Sequence, residues 1–225
     1  MILQQREAKF LRYKGIWIGI IIVLTVTIFN VLNYWNIKQV FRTLKEEKLY
    51  IAEKNNQKTD AIKAEAIYGY VAGYLNSTNP SLMTQEIPDF VYLTVEYARE
   101  FKINPYQCLT ICQIEDGFDL HKVGSHGEQG PAQLMPDTWK IYYKSLGYRP
   151  SDFYKWQCNY RVAMAHFSEL LKQNHDHVEM AIGEYNGGGG WSNIESSRIY
   201  VQRFKLANRG ISKLREAKKD FDGTF

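Results

Sequence analysis

The stretch Gln113–Trp139, QIEDGFDLHKVGSHGEQGPAQLMPDTW, decides how the rest of the chain is read. Glu115 stands at the end of an apolar, helix-like run, Tyr106–Ile114. Gly117 then ends that helix, because glycine is a poor helix former and a good C-terminal cap. A polar loop follows, with glycines at 117, 124, 127 and 130. It closes on Gln133-Leu134-Met135-Pro136, where Pro136 is suited to open a new helix. A carboxyl at a helix end, facing a glycine-rich loop, can be held away from water and aimed into a cleft. Partial burial raises a carboxyl pKa and keeps it protonated, as a general acid requires.

Glu115, Phe118, Ser125, Gly127, Gly130, Gln133, Met135 and Pro136 together resemble the catalytic motif of the soluble lytic transglycosylase (SLT) family, enzymes that cleave the glycan strands of bacterial peptidoglycan. Three later blocks resemble the same family in the same order. Asn159–Leu171 resembles its Asn-x-Arg-Ala-Gly helix. Ala181–Gly190 resembles its Ala-Tyr-Asn-Ala-Gly block through Tyr185, Asn186, Gly188 and Gly190. Tyr200-Val201-Gln202-Arg203 resembles its Tyr-Val-x-Arg motif. The resemblance covers roughly residues 84–207 and implies a lysozyme-like, all-α fold.

It also implies roles. Glu115 would be the catalytic acid. Ser125 and Gln133 would hydrogen-bond the sugar, Gln133 with both donor and acceptor capacity. Met135 would form an apolar wall, with core packing an equally good account of it. Tyr185 would hold or polarise the Glu115 carboxyl through its hydroxyl, and Asn186 would help hold the cleft. Tyr200 is expected to pack. No cofactor and no metal are implied: His121 and His126 read as loop residues, and His175-x-His177 as a solvated helix start.

The chain departs from the family at several positions. Asp116 replaces the usual Ser after the acid, and, as adjacent helix residues project about 100° apart, it is expected to point to solvent; Pro131-Ala132 replaces Leu-Met before Gln133. Glu128 and Glu184 stand where Ala is usual, Gly189 replaces Pro, and Ser196 replaces the Glu before Tyr-Val. One residue is added between Glu115 and Ser125. These departures leave two rivals to a transglycosylase. In one, Asp116, Asp119, Glu128 or Glu184 serves as a second carboxylate and the enzyme is a hydrolysing muramidase. In the other, the domain is a non-catalytic tethered glycan-binding or assembly factor, since fold alone does not fix function.

Outward from this core, the chain divides by composition. Residues 1–83 carry 11 Lys+Arg against 6 Asp+Glu, and residues 84–225 carry 17 against 18, within a formal net charge of +4. The globular part has no excess of positive charge, which excludes a nucleic-acid footprint as its defining feature. Residues 1–15 form a short basic segment. Ile16–Trp35, IWIGIIIVLTVTIFNVLNYW, is twenty residues without a charge, long enough to span a bilayer core as a helix. Trp17, Tyr34 and Trp35 suit the two interfaces. No small-residue cleavage pattern follows, so the span reads as an uncleaved signal anchor.

Four Lys+Arg precede it and four follow within fifteen residues, so loop charge leaves its orientation open. The expected topology is a single pass with Met1 cytoplasmic and the C-terminal domain on the cell-wall side. That placement follows from where the glycan substrate lies. The partners implied are peptidoglycan glycan strands and the membrane. A secretion, conjugation or phage apparatus, or general wall turnover, is the process such a tethered domain would serve.

Residues 36–83 read as a helical stalk and linker. Ile37, Val40, Phe41, Leu44 and Ile51 recur at helical spacing, the apolar stripe lapses over Asn55–Asp60, and Ile62, Ala66, Ile67, Tyr70, Val71 and Tyr74 restart it as a helix able to dock. Asn76–Pro80 is a turn. The domain proper is expected over 84–225, with helices opening at Pro88 and Pro105, one over Pro136–Leu146, one from about Ser151 to Lys172 and open to a break near Gln157, a short one at Val178–Tyr185, and two more at Asn193–Leu206 and Ile211–Lys218. At most a small hairpin is expected, within 119–134. Of the three cysteines, Cys158 could meet Cys108 or Cys112, or all three could be buried free thiols.

Overall fold

The computed structural model describes the backbone of residues 2–222 and the side chains of residues 24, 25 and 27–211. Seven α-helices occur among the described residues: α1 (Ile2–Thr78), α2 (Ile87–Phe101), α3 (Pro105–Asp116), α4 (Pro136–Tyr142), α5 (Trp156–Gln173), α6 (Val178–Gly187) and α7 (Glu195–Asp222). Short 3₁₀ turns lie at Pro80–Leu82, Pro150–Tyr154 and Gly188–Asn193. Extended structure among the described residues is confined to two isolated antiparallel bridges, Val123 with Gln129 and Gln129 with Leu134, the small hairpin foreseen in the site loop.

The chain forms two compact units, residues 1–58 and 59–225. The first is helical throughout its described residues and leaves side chains such as Phe29, Trp35 and Phe41 exposed. Its sequence-predicted span, Ile16–Trp35, lies partly outside the residues whose side chains are described, and the basic segment before it lies wholly outside them. Among the described residues no helix is long and apolar enough to cross a membrane.

The second unit holds the core. The last turns of α1 enter it: Ile67, Val71 and Leu75, spaced four apart on one helix face, are fully buried. Tyr70 on the same segment donates its hydroxyl to Gln113 Oε1 of α3 at 2.9 Å. The restarted apolar stripe is therefore a docked helix. α5 supplies the opposite wall with Tyr160, Ala163, Met164 and Phe167. Its Tyr160 ring meets Phe90 at 5.4 Å and Tyr97 at 5.7 Å, and its hydroxyl pairs with Thr94 at 3.0 Å. Arg161 grips Glu100 through two hydrogen bonds of 2.9 and 2.6 Å, a bidentate clamp between α5 and α2.

Several expected boundaries moved. The helix expected from about Ser151 begins at Trp156, after the 3₁₀ turn Pro150–Tyr154. α4 stops at Tyr142 instead of running to Leu146, and the chain turns back through Gly147. The break expected between Leu206 and Ile211 is absent, because a single internal glycine weakens a helix by only about 1 kcal/mol. Gly210 lies inside α7, and fully buried Ile211 anchors the turn beyond it. All three cysteines are free, with Cys108 and Cys112 buried in α3 and Cys158 half-buried.

Candidate functional site

α3 is built to deliver Glu115 to one place. Asn104 caps its start, its side chain accepting from the Tyr106 N–H at 3.0 Å, and Pro105 fills the first helical position. Gly117 ends it in the left-handed region, φ 61°, with its N–H donating to the Gln113 carbonyl at 3.1 Å. Phe118 follows at φ 71°, buried edge-on against Tyr74 at 5.3 Å. The acid is thus the second-last residue of a helix fixed at both ends.

α7 closes on it. The Tyr200 hydroxyl donates to Glu115 Oε1 at 2.6 Å. Arg203, three residues on along the same face, donates Nη2 to the Ile114 carbonyl at 2.8 Å. A helix C-terminus leaves carbonyls without partners and carries partial negative charge, so a guanidinium there satisfies both. Burial pushes the Glu115 pKa up to about 7, against the Tyr200 hydrogen bond and the Arg203 charge, which favour ionisation. The nearby charges of Glu128 and Asp116 push it up as well.

These contacts correct the expected roles of two tyrosines. Tyr185, expected to hold Glu115, donates its hydroxyl to the Ala132 carbonyl at 2.8 Å and so braces the site loop. Tyr200, expected only to pack, holds the acid. Arg203 was not singled out as a site residue. The signal for both was the i, i+3 spacing of one hydroxyl and one cation within Tyr200–Arg203.

Asp116 also differs from expectation. It does not point to solvent: its side chain is 18% exposed, and Lys122 Nζ lies 3.2 Å from Oδ1. Its Oδ2 is buried without a hydrogen-bond partner. Burial raises its pKa and the Lys122 hydrogen bond opposes that. Of the other candidate second carboxylates, Glu128 accepts from the His126 N–H at 2.8 Å, Asp119 from the His121 N–H at 3.1 Å, and Glu184 from Asn174 Nδ2 at 2.8 Å.

The loop holds itself through its backbone. The Lys122 carbonyl accepts from the Gly130 N–H at 2.9 Å, and the Gly130 carbonyl accepts from Gln133 Nε2 at 2.9 Å. Gln133 sits at φ 44°, and its side-chain nitrogen is committed to the loop. Gly130, at φ 73°, has no room for a side chain, since a Cβ there would stand 2.8 Å from Asn159 Oδ1. Met135 is 43% exposed, an open apolar surface beside the loop and not core. Ser125 pairs with the His126 ring at 3.1 Å, and Asn186 is exposed on the α6 side, its Oδ1 accepting from Ser197 Oγ at 2.9 Å. A further brace, Glu86, accepts from Trp156 Nε1 at 2.8 Å and pairs with His121 Nε2 at 2.6 Å, pinning the start of the loop to α2 and α5.

Among the groups that gather here, one loaded acid has a hydroxyl and a cation behind it, and a polar loop with an apolar lip stands beside it. Such an arrangement suits proton delivery to a bond held across the cleft and recovery of a proton afterwards. Residues 93–203 match the family model of the Transglycosylase SLT domain. A search of curated proteins gave no match. The matched segment contains Glu115, the loop, Tyr185-Asn186 and Tyr200–Arg203, so the chain carries an SLT transglycosylase domain of the lysozyme-like type.

Proposed function

We propose, from the premise of an SLT transglycosylase domain, that this protein is a membrane-anchored lytic transglycosylase of peptidoglycan with Glu115 as its one catalytic acid–base. The protonated carboxyl gives its proton to the oxygen joining N-acetylmuramic acid to N-acetylglucosamine, and the bond from that oxygen to the muramic anomeric carbon breaks. The resulting carboxylate takes the proton of the muramic 6-hydroxyl. That oxygen then bonds to the anomeric carbon and leaves a 1,6-anhydro end. Water is not the nucleophile, so no second carboxylate is needed, unlike the two-carboxylate glycosidases.

The observation that carries this reading is the state of Glu115. A group that must be acid in one step and base in the next works best with a pKa near the operating pH, and burial has moved this one to about 7. Tyr200, donating to Oε1, stabilises the carboxylate after the first proton has left. Arg203 adds positive charge on the same side. Ser125, Gln133 and Asn186 would meet the sugar, Met135 its apolar face. Tyr185 would act through the loop it braces.

The hydrolytic reading draws on the Glu128 and Asp116 charges that act on Glu115. Both carboxylates have internal partners, His126 N–H and Lys122, which weakens that reading. Mass spectrometry of glycan strands digested by the full chain separates the two. Anhydro ends are expected, and reducing ends in their place would make the enzyme a muramidase. A membrane anchor at residues 16–35, with Met1 inside and the catalytic unit on the wall side, completes the proposal. Protease added to cells stripped of their outer layers should remove the C-terminal unit; its protection would refute the topology.

A further inference from the structure

A cavity of about 630 Å³ opens on the α7 side of Glu115, within the range of about 300–1,000 Å³ usual for small-ligand sites. Tyr200 and Arg203 line it and also touch the end of α3, so the cavity and the acid share a wall. The rest of the lining is polar and aliphatic. Asn186 and Ser196 offer polar groups, Ile194 and Ile199 offer partly exposed aliphatic surface, and no acidic side chain contributes. Arg203 spends one N–H on the Ile114 carbonyl and forms no ion pair among the described residues. Asn186 accepts from Ser197 through its oxygen, which leaves its amide N–H groups free to donate.

This is the chemistry of a carboxylate receptor with room for a short amide chain. A guanidinium recognises carboxylates through directed, charge-assisted hydrogen bonds. Ser196 and the Asn186 amide suit peptide groups, and the two isoleucines suit small methyl side chains. We propose that the cavity binds the carboxylate-bearing substituent of a muramic acid residue, with Arg203 as its anion contact, so that the enzyme reads the substituent as well as the sugar. This rests on the cleft being a glycan cleft, as proposed above. Two carboxylates could supply the charge: that of an attached peptide stem, or the lactyl carboxylate bared when the stem is removed.

The test is binding by the full chain carrying Glu115→Gln, so that turnover does not intrude. Three oligosaccharides of equal length are compared: peptide-bearing strands, strands stripped of peptide by an amidase, and chito-oligosaccharide, which has no carboxylate. Peptide-bearing strands should bind about tenfold tighter than chito-oligosaccharide, in line with one charge-assisted contact. Adding Arg203→Gln should erase that ratio. Because Arg203 also supports α3, a second variant is needed: Ile199→Glu places a repelling charge on the cavity wall away from the acid and should erase the ratio too. Stripped strands that bind like peptide-bearing ones would assign the lactyl carboxylate, and weaker binding would assign the stem. Chito-oligosaccharide bound as tightly as peptide-bearing strands, or a ratio unchanged in both variants, would overturn the proposal. The glycan reading is judged separately, by whether the wild-type chain releases fragments from any strand.

Discussion

The two sides of the Glu115 site are built in different ways. On the α7 side, side chains do the holding: Tyr200 grips the carboxyl and Arg203 the carbonyl before it, both from a regular helix whose Val201 and Phe204 are buried. On the loop side, the loop holds itself: the Gly130 N–H binds the Lys122 carbonyl, the Gln133 N–H and side-chain Nε2 both bind the Gly130 carbonyl, and Gly130 and Gln133 sit at positive φ. The α7 side acts on the ionisation of Glu115; the loop side sets the shape of the surface beside it. A substitution on one side should therefore change proton transfer, and on the other side folding and fit.

Removing the acid itself gives the largest effect and measures what both sides serve. Glu115→Gln should lower turnover by about 10²–10⁴-fold with the fold intact, the usual contribution of a general acid–base group. A third of wild-type turnover would end the mechanism. The same substitution should change stability against pH. The native pKa of about 7 stands above the ordinary 4.5, so the unfolded chain releases this proton first as pH rises. Stability from this group is fully present below pH 4.5 and is lost as pH climbs through about 7. The loss is about 3 kcal/mol by linkage. Denaturant unfolding at pH 5 and pH 8 should show that slope in wild type and not in Glu115→Gln.

Tyr200→Phe tests the α7 side directly. A hydrogen bond to a charged group is worth about 1.5–3 kcal/mol, so turnover should fall about tenfold to a hundredfold. The carboxylate loses its donor, the Glu115 pKa rises, and the alkaline limb of the pH–rate profile moves up. Tyr185→Phe is the matched control: it frees the Ala132 carbonyl and should lower melting temperature without moving that limb. Equal pH profiles in the two variants would erase the division between the sides.

Gly130→Ala tests the loop side. A side chain at positive φ is strained, and this one would also crowd Asn159, so stability should drop by about 1–3 kcal/mol. The pH profile of whatever folds should stay in place. The smallest effect belongs to Asp116→Asn. Its charge is the weakest of those acting on Glu115 and is shared with Lys122, so removing it should shift the alkaline limb slightly downward. Loss of nearly all activity with normal folding would instead make Asp116 a second catalytic carboxylate.

Most of α3 and its exit could be seen in the sequence because local signals agree there. Pro105 and Gly117 fix the ends, and Pro136 opens the next helix. The partner of Glu115 could not be read the same way. Tyr185 and Tyr200 are both tyrosines in family-like blocks, and which hydroxyl reaches the acid depends on packing between elements 85 residues apart. Asp116 misled for a similar reason. A helix position adjacent to the acid predicts a direction of about 100° away, but the returning loop brings Lys122 over it and closes the space. At the far end, Gly210 looked like a break, and the burial of Ile211 outweighed its low helix propensity.

The segment that resembles known enzymes and the segment that folds do not share a starting point. The family match begins at residue 93, while Ile67, Val71 and Leu75 of α1 lie fully inside the core. Deleting a large buried aliphatic side chain costs about 2–5 kcal/mol, and a whole domain is stable by only about 5–15. A fragment trimmed to the matched boundary would leave a trench along α3 and strip Gln113 of its tyrosine partner. Anyone cutting this protein down for study should begin before Thr59, because the last turns of the first helix are a structural keel and not a tether.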